Sequence, residues 1–401
     1  MKFLFDDESF SFETLRAAGF ACYRGAELGE VVATAGRITD GDEASWQREW
    51  SATADRVRTI GENCLAKGRT VSAREAFLRA SNYYRTAEFY LRDDPAHDPR
   101  ARELYHLSRD TFAQAMNLLD TPVRPVAIPY QDTTLPGYLY LVDDSGAPRP
   151  TVLFNSGFDS TLEESYVALA AGALDRGYNV LAFDGPGQGA VIREQGLPFR
   201  PDWEAVITPV VDYAVRLPEV DEDRIALYGY SLGGLLVARA AAFEHRIAAL
   251  ILNDGLFDYH GTNVRAMPEF VARWIEDGRD EEALAVAGLL TSFNTTVRWA
   301  LRNGVWTFGA SSSADYIRKT KPYTLAGIAQ QIACPTLVLD AENDIFFRGE
   351  AARVYEALTC PKELVVGTEA EGAGEHCHMG AMLLTHQRVF DWLDENFSIP
   401  S

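Results

Sequence analysis

The stretch Arg224-Ile-Ala-Leu-Tyr-Gly-Tyr-Ser-Leu-Gly-Gly234 limits what this chain can fold into more than any other feature. An apolar, β-prone run ends in Gly229-Tyr230-Ser231-Leu232-Gly233 and passes directly into a helical run, Leu232–Phe243. This is G-x-S-x-G at a strand-to-helix junction. The turn is so sharp that a Cβ at the flanking positions would collide with neighbouring backbone, and the serine is held in strained φ/ψ. Such a bend lifts the Ser231 hydroxyl above a sheet, at the positive end of the following helix.

The rest of the chain supplies such a sheet. Val126–Ile128 and Gly137–Val142 are short β-prone runs, and Thr151–Phe154 follows a polar, proline-bearing segment as a hairpin leading into a buried strand would. Strands and helices then alternate: Asn179–Phe183, helix Trp203–Arg216, Arg224–Tyr228, helix Leu232–Phe243, Ile247–Leu252, Pro335–Leu339 and Leu364–Val366, closed by an amphipathic helix at His386–Asn396. Buried β-runs separated by helices predict an α/β class with a mostly parallel sheet covered on both faces. Phe257–Gln330 interrupts the rhythm with helical, aromatic-rich segments, as an insertion between consecutive sheet strands would.

Before the sheet the pattern is helical. Ser72-Ala-Arg-Glu75 reads as a capping box, and Ala73, Ala76, Phe77, Ala80, Tyr83, Tyr84 and Ala87 share one helical face behind it. Asp98-Pro99 marks a second start, a capping residue with proline at the first helical position. The expected organisation is an N-terminal helical domain, residues 1–121, and a core over 122–400 with a helical cap inserted at about 257–330.

Composition narrows the partners. Lys+Arg 37 against Asp+Glu 58 leaves a formal charge of −21, which gives no electrostatic footprint for nucleic acid and no polybasic segment for a membrane surface. No apolar run reaches the ~18 residues of a membrane span, and the N-terminus turns acidic at Asp6, unlike a signal peptide. The five cysteines show no C-x-x-C spacing, so neither a disulfide framework nor a zinc ribbon is expected. A reduced, cytoplasmic protein acting on a small molecule fits best.

A neutral serine needs a base, and the base an orienting acid. After an elbow of this kind the chain order is serine, acid, histidine. Of the seven histidines, His376 and His378 lie in a glycine-rich loop just after strand Leu364–Val366; His376 is the expected base, since His378 adjoins the final helix. The acid should follow Pro335–Leu339, where Asp340 is still at the strand end and Glu342 faces solvent, leaving Asp344. Asp254 is the alternative from the preceding strand, although in Asn-Asp-Gly it reads more simply as a turn cap. Oxyanion donors are expected from the backbone N–H groups of Leu232 and Phe158, with Gly157 permitting the tight turn. Asp184-Gly-Pro-Gly-Gln-Gly189 has G-x-G-x-G spacing with an internal proline, so it predicts a buttress for the site floor and not dinucleotide binding. The Glu375-His376-Cys377-His378 run offers too few convergent ligands for a metal. No cofactor is expected.

Arg124–Tyr130, Leu135–Tyr138, Phe183–Gly189 and the serine elbow stand in the order found in α/β-hydrolases. Ser72–Glu88, Tyr323–Leu325, Cys334–Leu337 and Gly374–Cys377 further resemble the subgroup that includes 2,6-dihydroxypseudooxynicotine hydrolase, the fungal yellowish-green naphthopyrone chain-shortening hydrolase and the fermentation-respiration-switch proteins. The resemblance covers essentially the whole chain. It implies a triad of Ser231, Asp344 and His376, a site enclosed by the N-terminal and inserted helices, and a homodimer.

The expected activity is hydrolysis of an ester, or of a C–C bond beside a carbonyl, in an aromatic or polyketide-like compound. Acyl transfer or cyclisation by the same triad, and a non-catalytic ligand-binding shell, are the alternatives. Tyr84, Tyr230 and Trp306 are the expected substrate contacts, with Trp274, Phe293, Trp299, Phe308 and Tyr316 as further candidates from the insertion, and Arg85 reads as an exposed charge.

Overall fold

Short apolar runs that are hydrophobic on both faces cannot sit at a protein surface, and the longest of them form the middle of the sheet. In the computed structural model of the chain, which describes residues 2–399, β4 (Asn179–Phe183) and β6 (Ala249–Asn253) are buried along their whole length. Residues 1 and 400, the outer limits of the two expected units, lie outside the described residues, as does residue 401. The other strands are β1 (Val123–Tyr130), β2 (Thr133–Tyr140), β3 (Arg149–Asn155), β5 (Val220–Tyr230), β7 (Thr336–Ala341) and β8 (Lys362–Gly367). They form one eight-stranded sheet in the order β1-β2-β4-β3-β5-β6-β7-β8. The β1–β2 hairpin is antiparallel, β2 joins β4 antiparallel, and every remaining pairing is parallel.

Alternation along the strands sends successive side chains to opposite layers. Leu153, Leu181, Leu227 and Leu250 face one layer, packed with Trp203, Val206, Val210, Leu235 and Leu236 from α7 (Glu204–Ala214) and α8 (Leu232–Ala241) and their approaches. Val152, Val180, Ala226 and Ile251 face the other, against α6 (Ala171–Leu174), α15 (Met382–Phe397) and the N-terminal helices. Those N-terminal helices are α1 (Glu8–Gly19), α2 (Leu28–Ala35), α3 (Glu43–Leu65), α4 (Thr70–Glu88) and α5 (Pro99–Met116). They enclose a further aromatic core around Phe10, Trp46, Trp50, Tyr83 and Tyr90, which Trp299 of a later helix also joins. Between β6 and β7 run α9 (Tyr259–Arg265), α10 (Glu269–Glu276), α11 (Asp280–Phe293), α12 (Thr295–Thr307) and α13 (Ser313–Lys319), while α14 (Glu350–Ala357) links β7 to β8. Among the described residues no helix is long and apolar enough to cross a membrane.

Two local signals come out differently. Asp98 caps α5 with Pro99 at its first turn, its side chain accepting from the Arg100 N–H at 2.8 Å. Ser72–Glu75 forms no cap, because α4 starts two residues earlier at Thr70 and the segment lies inside the helix. α3, which stands out little from its polar composition, carries a narrow buried stripe of Trp46, Trp50, Thr53, Ala54 and Val57 at helical spacing.

His386 ties the N-terminal unit to the last helix. Its Nε2–H donates to the Ala168 carbonyl at 2.9 Å, so Nδ1 is the acceptor for the Tyr23 hydroxyl at 2.7 Å. Burial pushes the imidazole down to about 4, below its unfolded value of about 6.5. The unfolded chain therefore binds the proton first, and stability is lost as pH falls through that window, by up to about 1.4 kcal/mol per pH unit from this group. Urea midpoints measured across that range should fall on acidification. In His386→Asn they should start lower near neutrality and decline less steeply.

Candidate active site

The backbone of the elbow shows why its residues are what they are. Ser231 sits at φ 58°, ψ −126°, in the positive-φ region a side chain rarely occupies. A Cβ on Gly229 would lie 2.3 Å from the Gly233 carbonyl oxygen, and one on Gly233 would lie 2.6 Å from that of Ser156. Both glycines are therefore required by close backbone approach. The bend places Ser231 Oγ 2.8 Å from His376 Nε2.

His376 comes from the turn after β8, where Cys377 and His378 both adopt positive φ. Its Nδ1 lies 2.8 Å from Asp344 Oδ2 and 2.7 Å from Asp254 Oδ2. In the neutral ring the hydrogen is thus on Nδ1, and Nε2 faces the serine as acceptor. Asp344 Oδ1 accepts the N–H groups of Phe346 at 2.6 Å and Phe347 at 3.0 Å. Asp254 Oδ2 also accepts the Cys377 N–H at 2.9 Å. Burial opposes charge on all three side chains, with different outcomes. His376 is held well above the usual imidazole range by the carboxylates around it. Asp344 is held below the usual carboxylate range by His376, while burial pushes Asp254 up to about 7.

The loop after β3 lies directly against the elbow. A Cβ on Gly157 would be 2.8 Å from Ser231 Cβ and 3.1 Å from the Leu232 nitrogen, so only glycine lets the chain pass there on its way to Phe158. Gln188 holds this loop from below, donating to the Ser156 carbonyl at 2.6 Å and accepting from Asn155 at 2.9 Å. The Asp184–Gly189 segment is therefore a buttress. Asn303 of α12 donates to the Phe158 carbonyl at 3.2 Å from above. Asp159 is gripped by two arginines of the N-terminal helices, Arg16 at 2.7 Å and Arg85 at 2.8 Å. Burial alone would raise the Asp159 pKa, but the two guanidinium groups outweigh it and hold the carboxyl at about 2.

Above Ser231 opens a largely apolar pocket walled by Phe158, Tyr259, Trp299, Tyr316, Phe346 and Phe347. One face of α1 closes it: Ser9, Phe12, Glu13 and Arg16, at i, i+3, i+4 and i+7. The Phe12 ring lies 6.1 Å from that of His376.

The family model described as an esterase FrsA-like family matches residues 38–258, and that of the α/β-hydrolase family matches residues 152–392. Hydrolase LUC6 from a Fusarium species is 38% identical over 99% of this chain and 98% of its own length. The chain belongs to the α/β-hydrolase family. Another relative, the 20-hydroxy-prefusarin hydrolase FUS2 of Gibberella moniliformis, is 39% identical over 99% of this chain and 98% of its own. The crystal structure of 2,6-dihydroxy-pseudo-oxynicotine hydrolase superposes with a TM-score of 0.73 at 23% identity, covering 94% of both chains, which establishes the common fold.

In this α/β-hydrolase, Ser231, His376, Asp344, Leu232, Phe158 and Tyr230 lie together, and Tyr230 lines the pocket. Its buried hydroxyl has no hydrogen-bond partner among the described residues. Tyr84 and Trp306 do not reach the pocket. Tyr84 is fully buried between helices, its hydroxyl donating to Asp55 at 2.5 Å. Trp306 lies beneath the guanidinium groups of Arg92 and Arg193, 5.5 and 5.2 Å from its ring centroid. Of the other insertion aromatics, Trp299 and Tyr316 line the pocket, whereas Phe293 is 84% exposed. Arg85 is buried, not exposed, because Glu13, Asp159 and Glu164 surround it.

The plainer candidates have structural roles: His378 Nε2 donates to the Asp340 carbonyl at 2.8 Å, and Glu342 accepts the Glu369 N–H. Asp254 is more than the turn cap its local sequence suggests. The pocket face of α1 escaped sequence reading, although charged and aromatic residues mixed on one helical face were its signal. Asp254, His376 and Cys377 bring donor atoms within 4.8 Å of one another. Burial pushes the Cys377 thiol up to about 12, which disfavours the thiolate a metal would need, and the Nδ1 hydrogen of His376 is engaged by Asp344.

Gly157→Ala, whose Cβ must push this loop away from Ser231, should hydrolyse p-nitrophenyl butyrate at least about 100-fold more slowly than wild type, a loss of the size that displacing a donor beside a reacting carbonyl produces. Tyr84→Phe should retain that activity while losing about 1 kcal/mol of stability in urea titrations, the worth of a buried hydrogen bond.

Proposed function

We propose that this protein is a serine hydrolase that cleaves an acyl bond in an apolar, aromatic or polyketide-like carbonyl compound. The observation that carries the reading is Ser231 Oγ at 2.8 Å from His376 Nε2, with Nδ1 of the same ring on buried carboxylates. In the proposed cycle Ser231 attacks the substrate carbonyl as His376 Nε2 takes the hydroxyl proton. Asp344 keeps the Nδ1–H tautomer and offsets the imidazolium charge. The developing oxyanion is received by the Leu232 and Phe158 N–H groups. His376 returns the proton to the leaving group, and water, activated by the same imidazole, resolves the acyl-enzyme.

The leaving group is an alkoxide for an ester. For a C–C bond beside a carbonyl it is a carbanion, and a substrate whose second carbonyl or aryl ring delocalises that charge as an enolate is then required. The aromatic walls of the pocket support such a flat, extended substrate, and the likeness to a relative named for hydrolysis of 20-hydroxy-prefusarin supports the same class.

A fluorophosphonate probe tests the reading. The folded protein should become labelled on Ser231, with parallel loss of p-nitrophenyl butyrate hydrolysis. Ser231→Ala should be unlabelled and lower kcat by roughly 10⁴-fold or more. A wild-type protein that resists the probe while fully folded would rule the nucleophile out.

A further inference from the structure

His376 Nδ1 carries one hydrogen, and two carboxylates stand within bonding distance of it. A triad needs one. Asp344 Oδ2 is 2.8 Å away and Asp254 Oδ2 is 2.7 Å away. They arrive from adjacent strands, Asp344 beyond the end of β7 and Asp254 immediately after β6.

The two acids are furnished differently. Asp344 Oδ1 receives two backbone N–H bonds, from Phe346 and Phe347, which stabilise a full negative charge. Asp254 receives one, from Cys377, on the oxygen that also faces His376. Its Oδ1 is buried and has no hydrogen-bond partner among the described residues, a poor place for an uncompensated charge.

We propose that Asp254 is a second positioning carboxylate for His376, protonated while the imidazole acts as base and able to hold the ring in place of Asp344. This rests on the serine-hydrolase reading. Two ionised carboxylates on one Nδ1–H would stabilise the imidazolium so strongly that Nε2 would be a reluctant acceptor for the Ser231 proton. With Asp254 neutral, a single charge, on Asp344, faces the ring.

The groups that face Asp254 are consistent with that assignment. The turn after β8 brings His376 and Cys377, the segment after β7 brings Asp344, and β5 brings Tyr228. None of these besides His376 supplies a cation. Burial and the Asp344 charge therefore favour the neutral form of Asp254, against the pull of His376. The three groups titrate as a unit.

The test compares wild type, Asp254→Asn, Asp344→Asn and the double variant. The readouts are fluorophosphonate labelling rates and kcat/KM for p-nitrophenyl butyrate between about pH 5 and about pH 9. Asp344→Asn should slow labelling by only about 10- to 100-fold, in place of the roughly 10⁴-fold expected when a sole acid is lost, and the double variant should fall about 100-fold further. Asp254→Asn should leave the acidic limb of kcat/KM close to that of wild type, because a neutral amide replaces a carboxyl that is itself neutral while the imidazole acts as base. An Asp344→Asn protein as slow as the double variant, or an Asp254→Asn acidic limb lowered by about one pH unit or more, overturns the proposal and leaves the triad reading intact.

Wild type that labels no better than Ser231→Ala overturns both. Should Asp254→Asn fail to fold, the His376 Nδ1–H resonance of wild type carries the test. It should show two inflections with pH, and a single one overturns the protonated Asp254.

Discussion

Everything about this site depends on one imidazole being held between a hydroxyl and a pair of acids that come from three separate parts of the chain. The contacts Ser231–His376 and His376–Asp344 span sequence separations of 145 and 32 residues, so no local structure could supply them. Parallel pairing of β5, β6 and β7 in register puts the C-terminal ends of adjacent strands side by side, with residues 231, 254 and 344 at or just past those ends. The tight turn after β8 completes the set, its positive-φ residues Cys377 and His378 turning His376 back over the sheet edge. Catalytic groups in open parallel sheets gather at this end for the same geometric reason. The fold is thus the device that converts distance in sequence into hydrogen bonds of 2.8 Å.

The sheet and its elbow were legible because each rests on a short-range constraint. Period-two burial, apolar runs bounded by turn residues and the G-x-S-x-G bend all act within a dozen residues. Ser231, His376 and Asp344 could be placed together from chain order, since the order of strands limits which loops meet. Asp254 could not, because Asn-Asp-Gly satisfies a turn locally and nothing in it reports that the Cys377 N–H will arrive from 123 residues away. Tyr84 misleads for a related reason. Nearly every residue of α4 from Ala76 to Glu88 is buried, packed against α3, α5 and α1, so a periodic stripe does not single out the face nearest the pocket. Trp306 reads as a pocket aromatic, but Arg92 and Arg193, both far earlier in the chain, claim its ring face.

The burial of Arg16 and Arg85 bears on what the N-terminal helices are for. Two guanidinium groups at 7% and 5% side-chain exposure, meeting Glu13, Asp159 and Glu164, form a cluster whose desolvation offsets much of its attraction. Apolar residues of the same volume would serve stability as well. What the ions supply is direction: a planar guanidinium accepts few arrangements of carboxylates, and here two of them converge on one oxygen of Asp159, the residue after Phe158. The segment expected to hold the oxyanion is therefore anchored to α1 and α4, which precede the sheet, and to Gln188 and Asn303. A loop tied from four sides has little freedom to drift from the elbow. That is the rigidity an electrostatic site needs, because donors that must reorganise as charge develops lose most of their advantage over water. On this argument the helices before the sheet are a structural half of the site, with α1 presenting Phe12 and Glu13 to the pocket while its Arg16 braces the loop beneath.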